Sequence, residues 1–174
     1  MVAWHPPPTD WVKLNVDGSL NTDLNTISAG GVLRNHRKDW LGGFSLRKGN
    51  GSVLEAELWG LFEGLQFAWN SGYRLICVES DSQTTVNLMR CTTPVNHPLY
   101  SLIHSCLSLI HGDWSCSIRH VYREGNKVAD CLANLGHSLA LGVTYFEEPP
   151  MQARGVLDSD AKGSALARSI SNLV

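Results

Sequence analysis

The clearest periodicity in the chain lies between residues 52 and 70. Leu54, Leu58, Leu61, Leu65 and Ala68 recur three or four positions apart, the spacing of one buried helix face. Ser52 stands where an N-cap belongs, Glu55 three residues later completes a capping box, and Asn70-Ser-Gly72 stops the pattern. Ahead of this helix, segments 11–18, 27–35 and 40–48 carry β-compatible patterns, and Asn35-His-Arg-Lys-Asp39 reads as the turn of a hairpin joining the second and third. Behind it, 74–79 is a short apolar run of buried-strand type, 82–90 a helix, and 92–98 a Pro-containing break. Leu99, Leu102, Ile103, Cys106 and Ile110 predict a helix over 99–111, then 115–122 reads as a fifth strand and 126–139 as a final helix carrying Val128, Leu132, Leu135 and Leu139.

The order β-β-β-α-β-α-α-β-α, a hairpin region followed by alternation, predicts an α/β fold with a mixed sheet and helices packed on it. Residues 1–10 are a Pro-rich, extended leader, 11–139 the domain, and 140–174 a loosely packed C-terminal tail with a short helix near 163–171.

Composition narrows the class. In 174 residues, 43% hydrophobic and 17% charged positions suit one globular domain with a real core. No apolar run approaches the roughly 18–20 residues that span a bilayer, and the opening residues lack the basic-then-apolar pattern of a secretory signal. Five cysteines without paired spacing argue against a disulfide framework or a zinc site and for free thiols in a reducing compartment. A net charge of −2 does not advertise a nucleic-acid binder, but Arg34, Arg37, Lys38, Arg47 and Lys48 cluster in sequence, with a smaller group at Arg119, Arg123 and Lys127. These groups read either as a phosphate-contacting face or as solvated strand ends and turns.

Four acids change the picture. Asp17 and Asp81 end strand patterns, Glu57 lies at the edge of the leucine stripe, and Asp130 opens the last helix. On the helical wheel Glu55 is further round and serves as the capping acid, and Glu63 faces water. Taken singly, Asp17 and Asp81 also read as turn or N-cap aspartates, and Asp130 as a solvated first-turn acid. Gathered, four carboxylates would bind hard divalent cations.

Asn15-Val-Asp-Gly-Ser19, Ala29-Gly-Gly-Val-Leu33, Glu55-Ala-Glu-Leu-Trp59, Glu79-Ser-Asp-Ser-Gln83 and His120-Val-Tyr-Arg-Glu-Gly-Asn-Lys-Val-Ala-Asp-Cys-Leu-Ala133 form an ordered set. It closely resembles ribonuclease H domains, above all the plant ribonuclease H-like group related to retrotransposon reverse transcriptases. The likeness runs from about Trp11 to Ser138. It implies the ribonuclease H-like fold, a five-stranded mixed sheet whose first three strands are antiparallel, flanked by helices. It implies Asp17, Glu57, Asp81 and Asp130 as metal ligands, and His120, ten residues before the last acid, as the family's mobile histidine. Gly18, Ser19, Asn21, Gln83 and Asn126 are the implied substrate contacts, although the loop after Asp17 departs from the bacterial pattern. Where some members carry a basic protrusion, Cys91 to Leu99 has no lysine or arginine.

The activity so implied is endonucleolytic cleavage of the RNA strand of an RNA–DNA hybrid by a monomer with two Mg²⁺ ions, roughly 4 Å apart, or Mn²⁺ in their place. The alternatives are a non-catalytic RNA- or hybrid-binding module or a scaffold that keeps the fold. A pure binder gains nothing from an anionic centre facing phosphates.

Overall fold

The computed structural model describes residues 3–171, with side chains through Gly163. Strands β1 (Val12–Asn21), β2 (Thr26–Asn35) and β3 (Trp40–Arg47) form an antiparallel meander, followed by helix α1 (Val53–Asn70). Next come β4 (Leu75–Ser80), helices α2 (Gln83–Leu88) and α3 (Tyr100–Ile110), β5 (Ser115–His120) and α4 (Lys127–Gly136). Two further elements follow, β6 (Gly142–Phe146) and α5 (Met151–Ser171). The sheet order is β5-β4-β1-β2-β3-β6, with β1/β4 and β4/β5 parallel and the other pairings antiparallel.

The expected five strands are therefore joined by a sixth. Val143 and Tyr145 in β6 pair with Leu46 and Phe44 of β3. The segment expected to be a loose tail instead closes one sheet edge and sends α5 back across α4, burying Ala153 against Val32, Val128 and Leu132. Its low hydrophobicity concealed this, because the anchoring contacts are a five-residue strand and a few side chains. The first strand also runs to Asn21 rather than 18, because β1 and β2 pair down to Asn21↔Thr26 before turning.

Alternation along β1 divides the molecule into two layers. Leu14 and Val16 face α1 and α3, packing with Leu58, Leu61, Leu65, Ile76, Val78, Ile103 and Cys106. Lys13, Asn15 and Asp17 face the other way, and all three are buried. Ser52 caps α1 as its position predicted, its hydroxyl accepting from the Glu55 N–H at 3.1 Å.

Under the second face lies a connected polar network. Asn15 Oδ1 accepts from Trp4 Nε1 (2.9 Å) and Arg34 Nη2 (3.3 Å), and Asn15 Nδ2 donates to Asn126 Oδ1 (3.1 Å) and Glu79 Oε1 (3.3 Å). Arg34 also pairs with Asp160 of α5 at 2.7 Å and lies 3.8 Å from the centre of the Trp4 ring. Glu79 is held by Lys13 (3.1 Å) and Arg119 (2.6 Å). Buried charges survive only when paired in this way. The leader is thus not a free extension, since Trp4 is only 2% exposed.

The basic cluster of 34–48 does not form one face. Arg34 is buried, Arg47 Nη1 donates to the Leu139 carbonyl (2.9 Å), Lys48 stacks on Trp59 at 3.6 Å, and Arg37 pairs with Asp39 in solvent. Strand alternation and partner contacts scatter what sequence proximity had gathered.

Replacing Trp4 by Ala should cost about 3 kcal/mol or more of unfolding free energy, the loss of a large buried aromatic side chain. Urea denaturation measures it, and a leader that merely extended into solvent would give no change.

Candidate active site

The parallel pairing of β1 and β4 ends at Val16↔Ser80, and that of β4 and β5 at Ser80↔His120. Asp17, Asp81 and the end of β5 are therefore set side by side at the carboxyl edge of the parallel strands, with adjacent strands about 4.8 Å apart. Asp17 is not itself a strand end. It pairs with Gly30 within the longer β1/β2 ladder, and it is the departure of β4 that exposes it to the site.

Glu57 comes from α1 on the opposite face. It arrives because Gly18 has no side chain, since a Cβ there would fall 2.4 Å from the Glu57 backbone nitrogen. Gly30 serves α4 in the same way, since a Cβ there would lie 2.3 Å from the Ala133 nitrogen. Both helices that supply site acids rest directly on the strand backbone.

One carboxylate oxygen from each of Asp17, Glu57 and Asp81 lies within 4.8 Å of the other two. Asp130, in the first turn of α4, stands outside this triplet, though its charge acts on both Asp17 and Glu57. It makes a long 3.7 Å contact to the exposed Arg123. Among the described residues no lysine or arginine pairs with the other three acids.

Burial, and then the charges of Glu57, Asp81 and Asp130, push the Asp17 carboxyl far above the usual carboxylate range. Burial and the Asp81 charge push Glu57 up as well, against a hydrogen bond from Asp17 that favours its ionised form. Both carboxyls are thus held toward their protonated forms, with burial the first cause in each. The Gly18 N–H donates to Asp17 Oδ1 at 2.9 Å, while Glu57 Oε2 is buried without a hydrogen-bond partner. Crowded oxygen donors, an orphaned carboxylate oxygen and no balancing cation fit a hard divalent ion.

His120 closes β5 beside this cluster. Its Nε2 lies 3.2 Å from the Asp81 carbonyl oxygen, and its ring meets Tyr122 edge-on at 5.6 Å. Ser19 and Asn21 lie further along β1, with Asn21 Oδ1 accepting from the Leu24 N–H to close the turn. Gln83 is exposed on α2 and bonds Asn87.

Asn126, expected to be a substrate contact with them, is instead enclosed by protein. It is fully buried, donates to the Val16 carbonyl at 2.9 Å and accepts from Asn15. It ties the start of α4 to β1 and so sets where Asp130 stands. Periodicity missed Asn134 and His137, which share the Asp130 stripe of α4 at i+4 and i+7 and contact Ser19.

Mixed sheets of this order, with acids at the carboxyl edge of the parallel strands and helices on both faces, define the ribonuclease H-like fold. The chain belongs to the reverse transcriptase-like family, whose model matches residues 15–136. It is 40% identical over 170 residues to an Arabidopsis thaliana protein provisionally named a ribonuclease H protein, an alignment covering 98% of this chain and 27% of that one. The chain thus spans about a quarter of that relative's length. Ribonuclease H1 from the archaeon Halobacterium salinarum superposes with a TM-score of 0.68 at 25% identity, over 75% of this chain and 99% of that one. The N-terminal ribonuclease H domain of a Mycobacterium tuberculosis protein gives 0.66 at 26% identity, over 74% of this chain and 94% of that one.

The raised Asp17 pKa makes a signed prediction. In EDTA the folded protein keeps a proton that the unfolded chain has lost above the ordinary carboxylate value near 3.8. The stability linked to this group is complete below that value and is lost as pH rises toward the raised folded value. Asp17→Asn should therefore stabilise the metal-free protein at pH 8 by at least about 1.4 kcal/mol, one pKa unit, and much less at pH 4. Urea titrations at the two pH values measure the difference.

Proposed function

We propose that this chain hydrolyses the RNA strand of RNA–DNA hybrids. The observation that carries the reading is the convergence of Asp17, Glu57 and Asp81 at the carboxyl edge of the parallel strands, with Asp130 nearby and, among the described residues, no lysine or arginine paired with the triplet. A solved relative of the same fold, at 22% identity and a TM-score of 0.62, was crystallised as ribonuclease H1 in complex with an RNA/DNA hybrid, which supports the substrate class.

Asp17, Glu57, Asp81 and Asp130 would hold two Mg²⁺ ions, or Mn²⁺. Bound there, the ions would supply a water of lowered pKa and Lewis-acid stabilisation of charge on the phosphate and leaving 3′ oxygen. Asp17 is aimed by the Gly18 N–H, so its second oxygen remains for the shared site. Asp81 is carried on the short β4–α2 link, where Ser82 caps α2 and fixes the turn. Neutralising the cluster converts a surface that repels phosphate into one that accepts it.

His120 is the proton carrier of this reading. It is half-buried and meets the cluster at the Asp81 carbonyl, and on this reading its ring would turn toward the leaving group. Hydrolysis leaves a 5′-phosphate and a 3′-hydroxyl. On this reading the Ser19 side chain and the Gly18 backbone would contact the sugar edge of the RNA strand, with Gln83 of α2 as a further contact. All five cysteines are free thiols, which suits a reducing compartment.

Asp81→Asn should lower cleavage of an end-labelled RNA–DNA hybrid at least about 100-fold without lowering the urea midpoint. Only the RNA strand should be cut, and EDTA should abolish cutting. Hybrid binding without any metal-dependent turnover would replace the enzyme by a binding module.

Added Mg²⁺ should raise the melting temperature of the wild-type protein and leave that of Asp17→Asn nearly unchanged. Differential scanning calorimetry distinguishes this from general salt stabilisation when NaCl of equal ionic strength is the control.

A further inference from the structure

Past Asp17 the same face of β1 carries Ser19, and α4 presents Asn134 and His137 against it. Ser19 Oγ donates to Asn134 Oδ1 at 2.9 Å and lies 3.0 Å from His137 Nε2. The other ring nitrogen, Nδ1, lies 3.2 Å from Thr26 Oγ1. A hydroxyl has one proton and two lone pairs. With the Ser19 proton on Asn134, the contact to His137 is a hydrogen bond only if Nε2 carries the imidazole proton. Nδ1 then accepts from the Thr26 hydroxyl. Burial and the nearby Arg47 charge hold the ring below its ordinary pKa, so the neutral tautomer completes the assignment.

The arrangement is built rather than incidental. Ser28 Oγ bonds the Ala133 and Leu46 carbonyls (2.6 and 2.8 Å), Ser45 Oγ bonds the Leu132 carbonyl (2.6 Å), and Arg47 bonds the Leu139 carbonyl (2.9 Å). A Cβ at Gly136 would fall 1.9 Å from Ser28 Oγ, so this end of α4 lies tight on the sheet. His137 is fixed one residue beyond that contact.

On the hybrid-cleaving reading above, we propose that His137, with Asn134, is a positioning residue that fixes Ser19 as a hydrogen-bond acceptor only. The free lone pair of Ser19 then takes the 2′-hydroxyl of one ribose on the RNA strand. The logic is one of polarity. A 2′-hydroxyl donates, deoxyribose has nothing to offer, and a phosphate oxygen needs a proton that Ser19 has already committed. Ser19 stands two residues from Asp17, about 7 Å along the strand, so this acceptor also sets the register of the RNA strand relative to the acids. His137 touches neither substrate nor metal in this role; it acts through Ser19.

The test is a double-mutant cycle read against a ring-nitrogen measurement. Nitrogen NMR of the histidine rings should show His137 as the neutral Nε2–H tautomer. His137→Ala and Ser19→Ala should each raise KM for the hybrid about fivefold, the size of one ordinary hydrogen bond, and the double variant should be no worse than either. His137→Gln, which keeps an amide donor, should recover part of the loss. In a series of hybrids with single 2′-deoxy substitutions near the scissile bond, one position should raise KM for the wild type by the same factor and leave Ser19→Ala unaffected. An Nδ1–H ring, effects that multiply in the double variant, or no such position in the series would overturn the proposal while leaving hybrid cleavage intact. A wild-type chain that cleaves no hybrid would instead overturn the functional reading on which the proposal rests.

Discussion

Asn15 is the side chain on which one whole face of this protein hangs. Its amide accepts from the leader and β2, and donates to β4 and to the start of α4, so four segments distant in sequence meet at one buried group. A buried polar group that loses its hydrogen bond costs about 1–3 kcal/mol, so the bond to each of these partners matters. Satisfying them together selects one arrangement of the leader, α4 and α5 over every shifted alternative. Through Asn126 the network also sets the origin of α4, and with it the position of Asp130.

The active-site acids are the opposite case, a cluster that the fold holds together against its own electrostatics. Burial and mutual repulsion raise Asp17 and Glu57 and leave a carboxylate oxygen without a partner. That arrangement persists because the surrounding backbone leaves no alternative. Gly18 and Gly30 let α1 and α4 settle on the sheet at main-chain distance, and the end of the β4 pairing opens the one edge where the carboxylates can meet. On the proposed reading a divalent cation held there would relieve that repulsion, so the crowding would favour its binding. Ser19, Asn134 and His137 form a second polar chain along β1, which in the proposed tautomer leaves one Ser19 lone pair free.

Much of the central domain was legible because its signals are local. The leucine stripe and Ser52 cap of α1, the hairpins, and the alternating strand and helix order all follow from nearest-neighbour geometry. The C-terminal segment was misread, and the anchoring of the leader went unseen, for the converse reason. Trp4 and Asp160 are anchors in polar, Pro-rich or acidic surroundings, and they act through Arg34 and Asn15, which no periodicity connects to them. The same holds for the basic run at 34–48. Neighbours in sequence, its members point to opposite faces or to different partners once the strands alternate.

By itself the sequence determined the family and the order of the central elements, because ordered motifs and helical or strand periods carry that information, and its likeness to that family singled out four acids and a histidine as candidates. Only the tertiary structure decided that Asp17, Glu57 and Asp81 touch while Asp130 stands apart, and that Asn126 is a strut rather than a substrate contact. It alone placed His137 beside Ser19. These are matters of distance between segments far apart in the chain, and distance of that kind is created by packing, not by local preference.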